Sequence, residues 1–224
     1  MRLDSPIRGV IFDLDGTLLD TVEDIGHAAN QALKLKGLPT HPIPAYRDFV
    51  GHGSLELMRR ASADPVHGNA EESVLIELEE AFQAAYEDHW SRATRPYPGI
   101  EELLDSIVEK GLPMAVLSNK PHRFTLRCVQ SLLPRWTFSP IFGQRVGIAK
   151  KPDPKAALHI AKGWGLPTSD LALVGDTTID LQTGKSAGMR PIGVTWGFHH
   201  RKKLIPFACP LADSAGELRS LLGL

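Results

Sequence analysis

Two aspartates, Asp13 and Asp15, are the residues of this sequence whose type and spacing first suggest chemistry. They follow a short apolar segment, Gly9–Phe12, whose length and branched side chains predict a buried strand. Because side chains two apart on a strand point to the same side, both carboxyl groups are expected to leave the strand together. Two negative charges at the end of a buried strand are unfavourable unless a cation or a proton is shared there. The pair therefore predicts a site for a cation or a proton, and a polar turn formed by aspartate is the alternative.

Three further polar clusters follow predicted strands or lie in loops beside them. Ser118 and Asn119 come after one apolar segment, and Lys151 lies in a later loop. Asp176 and Asp180 follow another apolar segment, and because they are four apart at the start of a predicted helix, they are expected on one helix face. Together with the first pair, these clusters supply four carboxylates, a hydroxyl group and an ammonium group.

This set of groups favours phosphoryl transfer. Mg²⁺ prefers oxygen ligands and commonly bridges protein carboxylates and a substrate phosphate. A carboxylate can attack phosphorus and form an aspartyl phosphate. A second carboxyl group can protonate the leaving oxygen and later activate water. Lysine and serine can hold the phosphoryl oxygens while charge moves in the transition state.

A long helical stretch follows the first strand. Residues 20–95 carry apolar residues at helical spacing, and we find no convincing strand between Thr21 and about Arg95. This stretch is therefore interpreted as a separate helical bundle. The predicted helices begin after Asp20 or Thr21, run over 44–49, begin at a Ser54 cap, and run over 71–90, with a loop at 64–69.

Strands and helices alternate after the proline-rich connector Arg95–Gly99. This order predicts right-handed crossovers and a mainly parallel sheet, to which the opening strand also belongs. The expected fold class is α/β, with a discontinuous core at 1–19 and 96–224 and an inserted all-helical domain at 20–95. In open parallel sheets, ligands bind beyond the carboxyl ends of the strands, where the polar clusters are predicted to lie.

Composition excludes several classes of function. The chain has 224 residues and a formal net charge of -1, which argues against nucleic-acid binding through a broad basic surface. Two cysteines cannot form a disulfide framework, and no apolar segment is long enough to span a membrane. The polar N-terminus does not have the pattern of a signal peptide, so we expect a cytoplasmic protein with reduced thiols.

Four ordered motifs resemble those of the haloacid dehalogenase-like superfamily, and the match spans the whole chain. The resemblance implies a Rossmann-like core, a helical cap domain of the type seen in phosphoglycolate phosphatases, and Mg²⁺-dependent hydrolysis of phosphate esters. The motifs are Asp13-Leu14-Asp15-Gly16-Thr17, Ser118-Asn119-Lys120, Lys151-Pro152-Asp153-Pro154, and Gly175-Asp176-Thr177-Thr178-Ile179-Asp180.

The resemblance also implies individual roles. Asp13 would be the nucleophile, and Asp15 the general acid and base. Mg²⁺ would be bound by Asp13, the backbone carbonyl of Asp15 and Asp176, with Asp180 supporting it directly or through water. The residues that would bind the phosphoryl group are Thr17, Ser118, Asn119 and Lys151.

Asp15 also discriminates between activities within the superfamily. Haloacid dehalogenases usually lack this second aspartate, so dehalogenation is not expected. β-Phosphoglucomutase-like enzymes share the acid pair and the cap type, and a phosphomutase is the main alternative. A phosphatase for another sugar phosphate, a nucleotide or pyrophosphate, and a regulator that only binds a phosphorylated ligand, are further alternatives. The segments 118–121 and 193–197 look more like the phosphoglycolate phosphatase group, which makes phosphoglycolate the leading substrate.

Residues of the inserted stretch are expected to select the substrate. Gly51, His52 and Gly53 resemble the cap loop that faces the active site in related phosphatases. Asp24 is either a helix-start acid or a residue facing the cleft. The expected partner is a small phosphorylated metabolite, without nucleic acid or membrane, and the chain is expected to be a monomer or a homodimer. The basic segment 199–203 is interpreted as a solvated loop.

Overall fold

The computed structural model describes residues 6–63 and 71–224, and the chain forms two compact units. The core unit comprises the chain up to Leu19 together with Pro96–Leu224, and the inserted unit comprises Asp20–Arg95. The loop predicted at 64–69 lies outside the described residues.

A six-stranded parallel sheet forms the centre of the core unit, in the order β5-β4-β1-β6-β7-β8. Two very short strands, β2 and β3, mark the places where the chain passes between the units. The strands are β1 (Gly9–Phe12), β2 (Leu19–Asp20), β3 (Arg95–Pro96), β4 (Met114–Pro121), β5 (Ile141–Gln144), β6 (Leu171–Gly175), β7 (Arg190–Val194) and β8 (Leu211–Ala212).

Strand register brings the polar clusters to one edge of the sheet. β1 and β6 are buried throughout, as expected for central parallel strands that are covered on both faces. Phe12 at the end of β1 pairs with Val116 of β4 and Val174 of β6. Because the three strands run in parallel, the residues that follow these positions emerge at the same edge.

The inserted unit is helical over its described residues. Asn30 of the first helix connects that helix to the two segments that follow it. Its Oδ1 accepts hydrogen bonds from the His41 backbone N–H (2.9 Å), between the helices, and from the Tyr46 hydroxyl (2.7 Å) of the second helix. Ser54 is the first residue of a helix and Gly53 precedes it as the cap, so the predicted Ser54 cap was wrong by one residue. The helices are α1 (Val22–Leu35), α2 (Tyr46–Phe49), α3 (Ser54–Ala61) and α4 (Glu72–His89).

Helices of the core unit follow most of the strands. They are α5 (Ile100–Glu109), α6 (His122–Leu132), α7 (Lys155–Trp164), α8 (Thr178–Ser186), α9 (Arg201–Leu204) and α10 (Ala215–Leu222). In the basic segment interpreted as a solvated loop, residues 200–203 are exposed, but Arg201–Leu204 forms the short helix α9, whose last residue, Leu204, is fully buried.

The predicted α/β class, a mainly parallel sheet with an all-helical insertion, is confirmed. A prediction about the fourth motif was also wrong. Asp176 precedes α8, whose cap is Thr177, so Asp176 and Asp180 do not share a helix face. Across the two described stretches of chain, no helix combines the length and apolar character needed to cross a membrane.

Candidate active site

Three buried carboxylates meet at the edge of the sheet where β1 and β6 end. Asp13, Asp176 and Asp180 each place an oxygen within 4.8 Å of the others, and Asp15 lies beside them in the same buried segment as Asp13. Asp176 and Asp180 are fully buried, and Asp13 and Asp15 are each 8% exposed. The structure therefore brings together the carboxylates that were predicted from the sequence.

Lys151 joins two of these carboxylates. Its Nζ lies 2.8 Å from Oδ1 of Asp13 and donates a hydrogen bond to Oδ1 of Asp180 at 2.6 Å. The side chain of Asn119 fixes the lysine backbone, because its amide donates to the Lys151 carbonyl (3.0 Å) and its Oδ1 accepts from the Lys151 N–H (2.9 Å). The Asn119 side chain is thus used to position Lys151, and only its backbone remains a candidate for a phosphate contact.

Asp180 has both of its oxygens occupied. Oδ1 accepts from Lys151, while Oδ2 accepts from the backbone N–H (3.0 Å) and the hydroxyl (2.6 Å) of Thr177. A carboxylate at this position near the start of α8 is also favoured by the helix dipole. These contacts fit a role in supporting a metal site through Lys151 or water better than direct ligation by Asp180.

Asp176 is held by the first motif and by the loop after β7. Its Oδ1 accepts from the Thr17 hydroxyl at 2.9 Å, and its Oδ2 accepts from the Phe198 backbone N–H at 2.7 Å. The Thr17 hydroxyl therefore donates to Asp176, and its contact with phosphate stays a prediction. Gly16 is required here, because its φ is +87° and an added Cβ would lie 2.4 Å from Oδ2 of Asp176.

Burial shifts the proton equilibria of these groups. It raises the pKa of Asp13 to about 7; the nearby Lys151 charge opposes this rise, and the Asp180 and Asp15 charges add to it. Burial, followed by the Asp180 and Asp13 charges, raises the pKa of Asp176 well above its usual value. Burial alone would lower the pKa of Lys151, but the two carboxylates that it contacts raise it, so the lysine remains charged.

The arrangement fits a hard divalent cation. Among the described residues, none donates a well-directed hydrogen bond to the buried Oδ1 of Asp13, although Lys151 lies close to it. Within the described part of the chain, four buried carboxylates of this site face two buried lysines, Lys151 and Lys120. Clustered oxygen donors with excess negative charge are the ligands that Mg²⁺ prefers.

Lys120 is a charged residue of the site for which no role was predicted from the sequence. Its Nζ donates hydrogen bonds to both oxygens of Asp15, at 3.0 and 3.2 Å, and the residue is only 7% exposed. The signal was present in the second motif, because Ser118 and Lys120 are two apart and share a face if the strand continues. The strand was expected to end before Ser118, whereas β4 continues to Pro121 with an irregular register against β5.

Some predicted residues belong to the inserted unit. Gly51, His52 and Gly53 form the loop between α2 and α3, and both glycines have positive φ angles. Their substrate contact stays a prediction. Asp24 has a structural role within the unit, because its carboxylate accepts hydrogen bonds from Ala93 and Thr94.

Comparison with known proteins identifies the family. The model of the haloacid dehalogenase-like hydrolases matches residues 10–194. The chain belongs to this family. It is similar to phosphoglycolate phosphatase from Pseudomonas fluorescens, with 35% identity over 88% of this chain and 72% of that protein. Phosphoglycolate phosphatase 1 from Pseudomonas aeruginosa is 34% identical over 94% of this chain and 82% of its own length.

A solved structure extends this similarity to the whole chain. The crystal structure of a candidate phosphoglycolate phosphatase from Lactobacillus delbrueckii subsp. bulgaricus superimposes with a TM-score of 0.89 at 28% identity. The match covers 97% of this chain and 99% of that chain. The predicted family, its phosphoglycolate phosphatase-like group and the Rossmann-like core with a helical cap domain are therefore confirmed. This haloacid dehalogenase-like hydrolase is a phosphoric monoester hydrolase.

Proposed function

We propose that this hydrolase cleaves a small phosphate monoester in a Mg²⁺-dependent reaction through an aspartyl phosphate, with 2-phosphoglycolate as the leading substrate. The observation that carries the proposal is the buried Oδ1 of Asp13, which lies 2.8 Å from the Lys151 ammonium inside a cluster of carboxylates. A carboxylate held next to positive charge in this way is a candidate nucleophile for attack on phosphorus. The names of the similar Pseudomonas proteins support the choice of substrate.

In the proposed reaction, an oxygen of Asp13 attacks phosphorus while the ester oxygen leaves with a proton from Asp15. Water then attacks the phosphorus of the aspartyl phosphate, and Asp15 accepts a proton of that water. The bond between phosphorus and the Asp13 oxygen breaks, which regenerates the Asp13 carboxylate and releases inorganic phosphate. Lys151 offsets the negative charge between Asp13 and the phosphoryl oxygens. Ser118, at 5% exposure beside Asn119, would contribute its hydroxyl to the phosphoryl group.

The metal would be held by Asp13, Asp176 and the backbone carbonyl of Asp15, with Asp180 in support. When bound, Mg²⁺ would neutralise charge between these acids and the phosphate oxygens. Thr17 and Phe198 orient Asp176 through hydrogen bonds to its two oxygens. Outer contacts of this kind fix a metal-binding carboxylate in one orientation.

We assign the choice of substrate to the inserted unit, acting as a cap domain on the catalytic core, with the Gly51-His52-Gly53 loop as its contact. The substrate is then a small phosphorylated metabolite of the cytoplasm. A closing cap excludes water from the reacting groups and an opening cap releases product, so cap motion can limit turnover.

Substitution of the nucleophile tests the proposal. The Asp13→Asn variant should lose Mg²⁺-dependent phosphate release from 2-phosphoglycolate, because an amide oxygen is a poor nucleophile. Asp88→Asn, which makes the same change at an exposed position in the inserted unit, is the matched control and should retain activity. If Asp13→Asn kept full turnover, the nucleophile assignment would be wrong.

The product analysis separates hydrolysis from phosphomutase activity. Phosphorus NMR should detect inorganic phosphate as the product from 2-phosphoglycolate. An isomerised hexose phosphate that forms without free phosphate would contradict the hydrolase assignment. Absence of phosphate release across small phosphorylated acids, sugar phosphates, nucleotides and pyrophosphate would instead favour a binding protein.

A further inference from the structure

Lys120 occupies a position in the site that the proposed reaction does not use. We propose that Lys120 is a specificity-determining residue that binds a carboxylate on the leaving-group side of the substrate. This inference rests on the proposed function and deepens it, because it names a class of substrate: phosphate monoesters that carry an anionic group next to the ester oxygen.

The ammonium group of Lys120 lies beside the residue that is proposed to protonate the leaving group. Lys120 Nζ lies 3.0 and 3.2 Å from the two oxygens of Asp15. Asp15 is the residue proposed to protonate the leaving oxygen, so a group in contact with Asp15 lies beside that oxygen. In 2-phosphoglycolate the carboxylate is attached to the ester oxygen through a single methylene group. The Lys120 ammonium is therefore within reach of the carboxylate when the ester oxygen is in contact with Asp15.

The two buried lysines of the site contact different carboxylates. Lys151 contacts Asp13 and Asp180, so its charge is located at the nucleophile and the transferring phosphoryl group. Lys120 contacts Asp15, so its charge is located at the departing group. A phosphate ester with an uncharged leaving group needs the first cation, whereas a leaving group with a carboxylate also benefits from the second.

Hydrogen bonds and close packing fix the backbone of Lys120. Its N–H donates to the Ser118 hydroxyl at 3.3 Å, and its carbonyl accepts from the Thr125 hydroxyl at 3.1 Å. Gly143 of β5 packs so closely that an added Cβ would lie 2.8 Å from the Lys120 carbonyl oxygen. A buried cation on a fixed backbone is preorganised, so little conformational entropy is lost when it binds an anion.

The ammonium can also change partners. It carries three N–H donors that rotate about one bond, so a substrate carboxylate can share it with Asp15 or replace Asp15 as its partner. A charged hydrogen bond to a carboxylate is among the stronger interactions available in a buried site. We therefore expect the contribution of Lys120 to depend on whether the substrate carries that carboxylate.

A pair of substrates tests this inference. 2-Phosphoglycolate and ethyl phosphate share the ester oxygen and its methylene, but a methyl group in ethyl phosphate replaces the carboxylate. We expect Lys120→Met to lower kcat/KM for 2-phosphoglycolate by about 30-fold more than for ethyl phosphate, mainly through KM. Lys120→Arg keeps the positive charge and should restore part of the preference. Lys162→Met, which removes an exposed lysine from the last turn of α7, should leave kcat/KM unchanged for both substrates.

The outcomes separate the inference from the proposed function. An effect that acts only through Asp15 or through folding lowers kcat/KM for both substrates by the same factor. Equal losses of kcat/KM in Lys120→Met therefore overturn the inference. If that variant does not fold, Lys120→Gln, which keeps a polar group without the charge, is compared with wild type instead. The measured quantity is again the ratio of kcat/KM for 2-phosphoglycolate to kcat/KM for ethyl phosphate. A wild-type enzyme with no preference for 2-phosphoglycolate over ethyl phosphate overturns the proposed substrate as well. A clear wild-type preference that the neutral variants retain overturns the inference alone.

Discussion

Asn119 carries no charge, yet it determines where the Lys151 backbone lies. Its side chain makes two hydrogen bonds to that backbone, at 2.9 and 3.0 Å, and is nearly fully buried. We predict that Asn119→Ala lowers kcat/KM for 2-phosphoglycolate by about 100-fold, because a displacement of about 1 Å in a catalytic group can have this effect. Steady-state kinetics, with thermal melting to verify folding, provide the measurement.

A conservative variant distinguishes positioning from general destabilisation. Asn119→Asp retains an acceptor for the Lys151 N–H but loses the donor to the Lys151 carbonyl, and should therefore lie between wild type and Asn119→Ala in kcat/KM. Unchanged kinetics in Asn119→Ala would contradict the positioning role. So would a loss that is fully explained by the unfolded fraction.

Most charged residues of the site could be predicted from the sequence, with Lys120 as the exception, whereas the hydrogen-bond partners of its neutral residues could not. The carboxylates and Lys151 are recognisable because few arrangements other than a cation or phosphate site accommodate them near strand ends. Thr17 and Asn119 act through contacts with residues 159 and 32 positions away in the chain. No local pattern contains such a contact, so the donors that orient Asp176 and Lys151 became visible only in the structure.

Asp24, in the first turn of α1, links two segments of the inserted unit. Its carboxylate accepts hydrogen bonds from the Ala93 N–H (3.0 Å), the Thr94 N–H (2.8 Å) and the Thr94 hydroxyl (2.7 Å). It therefore ties the start of α1 to the segment after α4, at the two ends of the inserted unit. The acidic residue at the helix start was predicted from the sequence. Its hydrogen-bond partners were not, because they lie about 70 residues away in the chain.

We predict that Asp24→Ala destabilises the inserted unit by about 2–4 kcal/mol, because it leaves buried N–H and O–H donors without an acceptor. Hydrogen exchange measured by mass spectrometry should become faster in α1 and α4. Glu23→Ala is the matched control, since Glu23 is exposed and lies only 4.0 Å from His27 in a weak pair. Unchanged exchange in Asp24→Ala would show that the carboxylate does not hold the two segments together.

Amphipathic elements were predicted more accurately than short ones. The long helices α1 and α4 follow from apolar periodicity. α1 begins within one residue of its predicted start, and α4 differs from the predicted range 71–90 by one residue at each end. β8 has two residues and was not predicted, because its stability comes from pairing with β7 in a parallel ladder. The polar end of β4 was missed for the same reason, since backbone pairing rather than side-chain pattern defines it.

At the scale of the whole molecule, overall charge conceals a strong local imbalance. The chain carries a formal net charge of -1, whereas the buried site concentrates four carboxylates against two lysines. The parallel sheet produces this concentration, because it aligns the ends of strands that are far apart in sequence. The sequence predicts this alignment from the alternation of strands and helices, but it does not predict the resulting burial, which shifts the pKa values.

Burial of Asp13 links the stability of the whole chain to pH. Its pKa is raised to about 7 in the folded protein without metal, compared with an ordinary value of 3.8. The folded state therefore binds this proton more tightly than the unfolded state. The resulting stabilisation is fully present below about pH 4 and is lost as pH rises through about 7, by at most about 1.4 kcal/mol per pH unit.

We predict that Mg²⁺ raises Tm more at about pH 8 than at about pH 5, because the cation requires ionised carboxylates and binds the folded state. Thermal melting with EDTA or with excess Mg²⁺ at the two pH values provides the measurement. Other groups also titrate in this range, so the contribution of Asp13 is the difference between wild type and Asp13→Asn. The Tm of Asp13→Asn in EDTA should depend less on pH, since the variant lacks the titrating group. Mg²⁺ should also raise its Tm by less, since the variant lacks one of the proposed ligands. An equal Mg²⁺ effect on both proteins would exclude Asp13 from the metal site.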